Sequence, residues 1–104
     1  VIDKIDITTL GDAVDYGDLT EGSTGNAGCG SSTRAVCFIG FNDTANLNTI
    51  CFKLFSSSGN MSDFGDLTEA TNKFCAASNA TRGLRFGGDS SVTVDYITLQ
   101  ILEI

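Results

Sequence analysis

An internal repeat constrains this chain more than any other feature of its sequence. Residues 15–21, DYGDLTE, return as residues 63–69, DFGDLTE, at an offset of 48. The further matches at this offset are Thr33 and Arg34 with Thr81 and Arg82, Phe38 with Phe86, and Gly40 with Gly88. A third start, residues 94–99, resembles residues 2–7 and begins 44 residues after Ile50. Because such self-similarity indicates stacked copies of one supersecondary unit, we predict repeats at about 1–48 and 49–92, with a third beginning at 93–104.

Each repeat is predicted to contain four short β-strands. The predicted strands lie at residues 1–8, 13–19, 23–30, 34–41, 49–56, 61–67, 70–77 and 82–88, with a ninth at 92–104. Clusters of Gly, Ser, Asn and Asp separate them and supply the turn conformations that hairpins need. A helix competes at residues 66–77, where Asp66 and Glu69 have the spacing of a capping box. We favour strands, because the equivalent residues 22–28 contain three glycines that would each cost about 1 kcal/mol in a helix.

The repeat also predicts which side chains of the strands are buried. Alternate residues of a strand lie on one face of a sheet. Val36 and Phe38 are therefore expected in the core, and Leu84 and Phe86 are expected to be buried in the same way one repeat later. The chain of 104 residues is long enough for a single domain with one core.

Composition removes several classes of function. The chain contains no His, which excludes Ser-His-Asp and Cys-His catalysis and imidazole metal ligands. A net charge of -7 repels phosphate groups, so we predict neither a nucleic-acid partner nor an anionic membrane partner. The apolar stretches are too short to span a bilayer, and no signal segment opens the chain, so the protein is expected to be soluble.

The repeated acidic motif contains the candidate metal ligands and the candidate catalytic carboxylates. Asp15 and Asp18, and again Asp63 and Asp66, are three residues apart around a glycine, a spacing that suits a hard cation such as Ca²⁺. The alternative is that these carboxylates accept hydrogen bonds from nearby backbone N–H groups. A glycosidase would need two of them about 5 to 10 Å apart. Because both repeats carry the same carboxylates of this motif, we expect a structural role, no catalytic residue and no cofactor.

The remaining candidate site residues are two arginines and four cysteines. Arg34 and Arg82 recur at the start of equivalent strands, where each could bind a sugar hydroxyl or form an ion pair with the acidic motif. The cysteines lack zinc-finger spacing. An even number of cysteines in a short acidic chain is compatible with an oxidising, extracellular setting, and free buried thiols are the alternative. If a disulfide forms, we expect it at Cys37, with either Cys29 or Cys51 across a hairpin.

Three segments together resemble a known family. These segments are residues 59–67 (GNMSDFGDL), 81–88 (TRGLRFGG) and 94–99 (VDYITL), and they are similar to the kelch-like repeats of tail and virion proteins of tailed bacteriophages. The kelch pattern has a double glycine after the second strand of a blade, a Tyr in the third strand and a Trp in the fourth. Gly87, Gly88 and Tyr96 match the first two features, and Phe64 or Tyr16 stands in place of the Trp. The first repeat departs from the pattern, with Ile39 before Gly40 and Lys4 in place of the Tyr.

The resemblance implies an all-β fold with two four-stranded antiparallel kelch-like blades and an extra C-terminal strand. In kelch order, residues 23–67 form one complete blade and residues 70–104 supply three strands of another. A neighbouring copy would lend the strand at 13–19, and three copies would make a six-bladed propeller. The strands at 1–8 and 92–104 then compete for the same position.

The same resemblance implies a non-enzymatic structural or recognition module of a virion or extracellular assembly. Its expected partners are copies of itself, surface glycans and other virion or surface proteins. The alternative function is a self-assembling extracellular filament or lattice subunit held together by strand donation.

Overall fold

A computed structural model describes residues 1–57 and 59–99, and these residues form an all-β fold without a helix. Its strands are β1 (Ile2–Lys4), β2 (Val14–Gly17), β3 (Ala27–Gly30), β4 (Arg34–Phe38), β5 (Leu47–Leu54), β6 (Ser62–Thr71), β7 (Cys75–Ser78), β8 (Arg82–Phe86) and β9 (Val94–Thr98). They form three antiparallel sheets, in the orders β1-β2, β3-β4-β5-β6 and β7-β8-β9. The all-β prediction is confirmed, and β6 continues to Thr71 where a helix was the alternative. The end of the predicted ninth strand, residues 100–104, lies outside the described residues.

The hydrogen-bonded register of the strands repeats as the sequence does. In the β1-β2 pair, Ile2 lies opposite Gly17 and Lys4 lies opposite Val14, with a bulge after Ile2. The β5-β6 pair has the same register 48 residues later, with Ile50 opposite Gly65, Phe52 opposite Ser62 and a bulge after Ile50. The pairs β3-β4 and β7-β8 are likewise related by 48 residues, and β4-β5 and β8-β9 match when β9 is offset by 44 from β5.

The acidic motif forms the bulge in both repeats. The backbone N–H of Gly17 donates to Asp15 Oδ1 at 3.1 Å, and that of Gly65 donates to Asp63 Oδ1 at 3.0 Å. Both glycines have positive φ, 144° and 156°, which L side chains rarely adopt. The motif is repeated because each copy needs a glycine at the bulge and an aspartate that satisfies its free N–H group.

The core lies between the four-stranded and three-stranded sheets. We call Val36, Phe38, Ile50 and Phe52 the core face of the four-stranded sheet, and Gly83, Arg85, Asp95 and Ile97 the clamp face of the three-stranded sheet. Leu67, Phe74 and Leu99 complete the buried cluster. The rings of Phe38 and Phe74 meet edge to face, with centroids 6.4 Å apart. The predicted burial of Val36 and Phe38 is confirmed.

The predicted burial of Leu84 and Phe86 is wrong. Leu84 is half-buried and Phe86 is exposed, while their strand neighbours Gly83 and Arg85 are buried. Alternation along β8 is preserved, since Leu84 and Phe86 share a face as Val36 and Phe38 do. The difference is that no sheet of the described residues covers that face of β8, because the four-stranded sheet packs against the other side.

The β1-β2 hairpin lies on the side of the four-stranded sheet that is opposite the core face. We call this side the hairpin face, and it carries Ala35, Cys37, Cys51 and Lys53. The Tyr16 hydroxyl donates to the Phe55 carbonyl at 2.7 Å, and Lys53 Nζ lies 4.5 Å from the centre of the Tyr16 ring. The Met61 N–H donates to the Asp18 carbonyl at 2.9 Å. The three sheets therefore stack in chain order. Within the described residues, no helix is long and apolar enough to cross a membrane.

Candidate functional site

The four aspartates predicted as candidate metal ligands do not converge on one point. Asp15 and Asp63 each bind the backbone two residues later. Asp18 lies 3.5 Å from the N-terminal ammonium group, and Asp66 is exposed. Among residues 1–57 and 59–99, no group of three His, Cys, Asp or Glu side chains is arranged to hold a metal ion. The hydrogen bonds of Asp15 and Asp63 are those expected of a carboxylate that satisfies local backbone groups.

The two candidate ligand-binding arginines occupy equivalent positions and make equivalent contacts. Arg34 lies over the Phe52 ring, 5.0 Å from its centre, and Arg82 lies over the Tyr96 ring at 4.4 Å. Each pair therefore joins the second and third strands of its sheet by a cation–π contact. Arg34 is buried, and Arg82 is exposed. In the described part of the chain neither forms the interstrand ion pair that was their alternative prediction.

The structure places Cys51, and not Cys29, beside Cys37. Cys37 and Cys51 are directly opposite each other in the β4-β5 pair, and all four cysteines are free thiols. Cys29 lies opposite Val36, so it points to the other face of the sheet. The Cys51 thiol donates to the Cys37 carbonyl at 3.6 Å, and the interaction between the two facing thiols raises the pKa of Cys37 and lowers the pKa of Cys51.

We predict that a disulfide oxidant such as oxidised glutathione links Cys37 to Cys51. The thiolate of one cysteine attacks glutathione disulfide and releases one glutathione, and the thiolate of the other cysteine then displaces the second glutathione. Facing residues of antiparallel strands have the Cα separation that a disulfide requires. The closed loop spans residues 37–51, and a loop of this length adds up to about 3 kcal/mol to the free energy of unfolding.

Peptide mapping after oxidation measures the linkage, and urea unfolding of the oxidised and reduced forms measures its effect. The Cys51→Ser variant is the control, because it should gain no stability from the oxidant. A linkage that joins Cys29 to Cys37 would contradict the strand register.

A buried ion cluster, which the sequence reasoning missed, joins the second and third sheets. Arg85 is 0% exposed, and its Nη2 lies 2.6 Å from Asp95 Oδ2. Arg85 Nη1 also contacts Glu69 Oε1 at 3.2 Å. The two oxygens of Asp95 accept hydrogen bonds from the Thr68 N–H at 3.0 Å and the Thr68 hydroxyl at 2.6 Å. We call Arg85, Asp95, Glu69 and Thr68 the clamp, because their contacts fix β8 and β9 to β6 of the neighbouring sheet.

The surroundings of the two acidic clamp residues stabilise their charged forms. Burial raises the pKa of Asp95, but hydrogen bonds from Thr68 and Arg85 outweigh it, so the pKa is lowered overall. The pKa of Glu69 is lowered by hydrogen bonds from Ser91 and Arg85. A signal for the clamp was available in the repeat, because Arg85 and Asp95 stand where the facing pair Cys37 and Cys51 stands one unit earlier.

The three-stranded sheet exposes an apolar face and a free strand edge. We call Arg82, Leu84, Phe86, Val94 and Tyr96 the open face of this sheet. Val94 and Tyr96 are each 62% exposed, and contiguous exposed apolar groups of this kind mark interaction surfaces. Within the described residues, β9 pairs with β8 alone.

A cavity of about 190 Å³ opens beside the free edge of β9. It is bounded by β9 on one side and by Asp66, Leu67 and Thr68 of β6 on the other. The open face, the free edge and this cavity together form the candidate interaction site. No protein-family model matches the chain, and neither a curated protein nor a solved structure matches it.

Proposed function

We propose that this chain is a non-enzymatic, kelch-like β-propeller module that serves as a structural and recognition element of a virion or another extracellular assembly. The observation that carries the proposal is the recurrence of one strand register, with its bulge, in the β1-β2 pair and the β5-β6 pair of two successive sheets. Radially repeated four-stranded sheets are the plan of a propeller. The resemblance of residues 59–67, 81–88 and 94–99 to phage kelch-like repeats supports the virion or extracellular setting.

The number of strands supports a module that works together with copies of itself. The sheets contain two, four and three strands, and a propeller needs typically four to eight blades. Copies that complete one another's partial sheets would close a ring, and three copies would supply six blades. Open sheet edges are normally covered in natural proteins, which gives the incomplete sheets a reason to associate.

The chemistry of the carboxylates supports a role without catalysis. A glycosidase acid needs a raised pKa, whereas the pKa values of Asp95 and Glu69 are lowered. Asp15 and Asp63 are engaged with backbone N–H groups. For recognition of surface glycans, Arg82 is the better placed of the two arginines, because it is exposed and Arg34 is buried.

A second candidate function is a filament or lattice subunit held together by strand donation. The free edge of β9 favours it, since an exposed edge is a template for pairing with another chain. A contact between two different surfaces of the same chain gives a ring when the rotation closes and a filament when it does not.

Native mass spectrometry and negative-stain imaging test the proposal. Discrete rings with the mass of three chains support the propeller, and long regular fibres support the filament. A stable monomer at micromolar concentration would contradict both. A polysaccharide whose hydrolysis is lost in either Asp18→Asn or Asp66→Asn alone would show that the protein is an enzyme.

A further inference from the structure

We propose that the open edge of β9 is completed by β2 of a second copy of this chain, which pairs with β9 in place of its own β1. The inference rests on the proposed self-association and specifies the strand, the edge and the register through which it occurs. It follows from comparing the three sheets position by position.

Among the described residues, the outer edge of β9 lacks a strand that the equivalent edge of the four-stranded sheet has. β9 corresponds to β5, and β5 is covered by β4 on one side and β6 on the other. β3 and β6 are the edges of the complete sheet itself, and β7 corresponds to β3. Among residues 1–57 and 59–99, the three-stranded sheet therefore lacks the equivalent of β6, and β2 is the strand that carries the same motif and register as β6.

The repeat fixes the register of the proposed pair. Because β9 is related to β5 by 44 residues and β2 to β6 by 48, the β5-β6 pairing can be transferred directly. It places Val94 opposite Gly17 of the second copy, Asp95 opposite Asp15 and Tyr96 opposite Val14. The bulge at Gly17 would then follow Val94, as the bulge at Gly65 follows Ile50.

The side chains that would meet are matched in type to those of the complete sheet. Phe52 of β5 and Phe64 of β6 form an edge-to-face pair with centroids 5.6 Å apart. Tyr96 stands at the position of Phe52, and Tyr16 stands at the position of Phe64. The proposed pairing would therefore bring two tyrosines together where the complete sheet has two phenylalanines, an arrangement that aromatic rings favour.

β1 and β9 are equivalent strands, so only one of them can pair with a given β2. β1 has three residues, of which Asp3 and Lys4 are exposed. β9 has five residues that all pair with β8, and the clamp at Asp95 fixes it to the neighbouring sheet. β9 is therefore the more firmly held strand, and β1 is the one that is displaced.

The cavity beside β9 marks the side of the sheet on which the incoming strand would lie. Its walls come from β9 and from β6 of the adjacent sheet, so a strand added to β9 would cover both. The incoming β2 also brings its own four-stranded sheet, because Tyr16 and Asp18 attach the hairpin region to that sheet. The hairpin face of the second copy would then lie over the open face.

The residues of this second contact have complementary sizes. Within the chain, a Cβ built on Gly83 would lie 2.8 Å from Cys29 Sγ, so the larger Cys faces a residue without a side chain. Between copies, the equivalent positions hold Ala77 and Ala35. A pair of alanines between copies thus takes the place of the Cys–Gly pair within the chain. Both pairs let the two backbones approach to a similar distance.

The first test compares two charged substitutions in the full-length protein by native mass spectrometry at micromolar concentration. Tyr96→Glu places a carboxylate in the proposed contact, and we expect the multimer to fall to a single chain of about 10.9 kDa. Val92→Glu is the matched control, because Val92 is 98% exposed, lies near β9 and has no place in the proposed pair. Thermal melts of both variants establish that each remains folded.

The second test measures the register by cross-linking two variants under a disulfide oxidant. A mixture of Val14→Cys and Tyr96→Cys chains should give a linked peptide that joins positions 14 and 96 of different chains. Asp15→Cys mixed with Tyr96→Cys is the control, since position 15 points to the other face of β2.

The outcomes separate this inference from the proposed function. A parent protein that stays monomeric would contradict both. A parent that assembles, and that still assembles as Tyr96→Glu or gives no link between positions 14 and 96, would contradict the pairing of β9 with β2 and leave self-association standing. Loss of assembly in Tyr96→Glu alone, together with the expected link, supports the pairing.

Discussion

Replacing Phe38 with Ala is expected to lower the free energy of unfolding by about 3 to 5 kcal/mol. Phe38 is 1% exposed and packs edge to face on Phe74 between two sheets, so truncation leaves a cavity that rigid neighbouring strands cannot fill. Phe86→Ala is the matched control, because Phe86 is the same residue one repeat later and is 38% exposed. We expect it to cost about 1 kcal/mol or less, since its face has little packing to lose.

Urea unfolding at several protein concentrations checks both values. Equal losses in the two variants at every concentration would contradict the difference in burial between the repeats. If copies associate through the open face, the cost of Phe86→Ala should grow with protein concentration, because binding of a second copy adds to apparent stability. The cost of Phe38→Ala should be the same at each concentration.

Asp95→Ala is expected to lower the free energy of unfolding by about 3 to 5 kcal/mol, because it leaves the buried Arg85 charge without its closest partner. It also removes the acceptor for both hydrogen bonds of Thr68. Asp3→Ala is the control at the equivalent repeat position, where the aspartate is exposed and forms no ion pair with any residue that the structure describes. A change there should stay within about 0.5 kcal/mol. Similar losses in the two variants would show that the clamp does not stabilise the fold.

The dependence on pH gives an independent measure of the clamp. The pKa values of Asp95 and Glu69 are lower in the folded chain than their ordinary values. Their contribution to stability is therefore fully present above the unfolded pKa, about 4, and is lost as the pH falls through the folded values. The stability difference between the parent and Asp95→Ala should shrink in that range. A difference that stayed constant from pH 7 to pH 3 would contradict the assignment.

The repeat made the secondary structure and the order of strands predictable. The bulge and its glycine recur at 17 and 65, and the matches within strands, Arg34 with Arg82 and Phe38 with Phe86, fall at equivalent places in their sheets. Strand type was predictable at residues 66–71 because the glycines of the first copy exclude a helix there. This agreement between prediction and structure is expected, because two copies of one unit have the same fold and a pattern in one copy limits what the other can form.

The choice of buried face in the second repeat could not be predicted in the same way. Alternation places Leu84 and Phe86 on one face and Gly83 and Arg85 on the other, but it does not say which face has a neighbouring sheet. The apolar face was the natural choice, since Arg is rarely fully buried without partners. Arg85 has those partners: Asp95 lies opposite it in the β8-β9 pair, and Glu69 of β6 comes within reach only when the two sheets stack.

The connection between β8 and β9 is four residues shorter than the one between β4 and β5 when both are measured between paired residues. Phe38 pairs with Ile50, and Phe86 pairs with Val94. Each connection contains a non-glycine residue with positive φ, Asp43 between β4 and β5 and Ser90 between β8 and β9. The strands on either side nevertheless keep their register. Changes of length are thus absorbed at one corner of the unit, where a lineage could add or remove residues without rearranging the core. That corner is the natural place for diversification within the repeat and for inserting a foreign peptide into an otherwise unaltered scaffold.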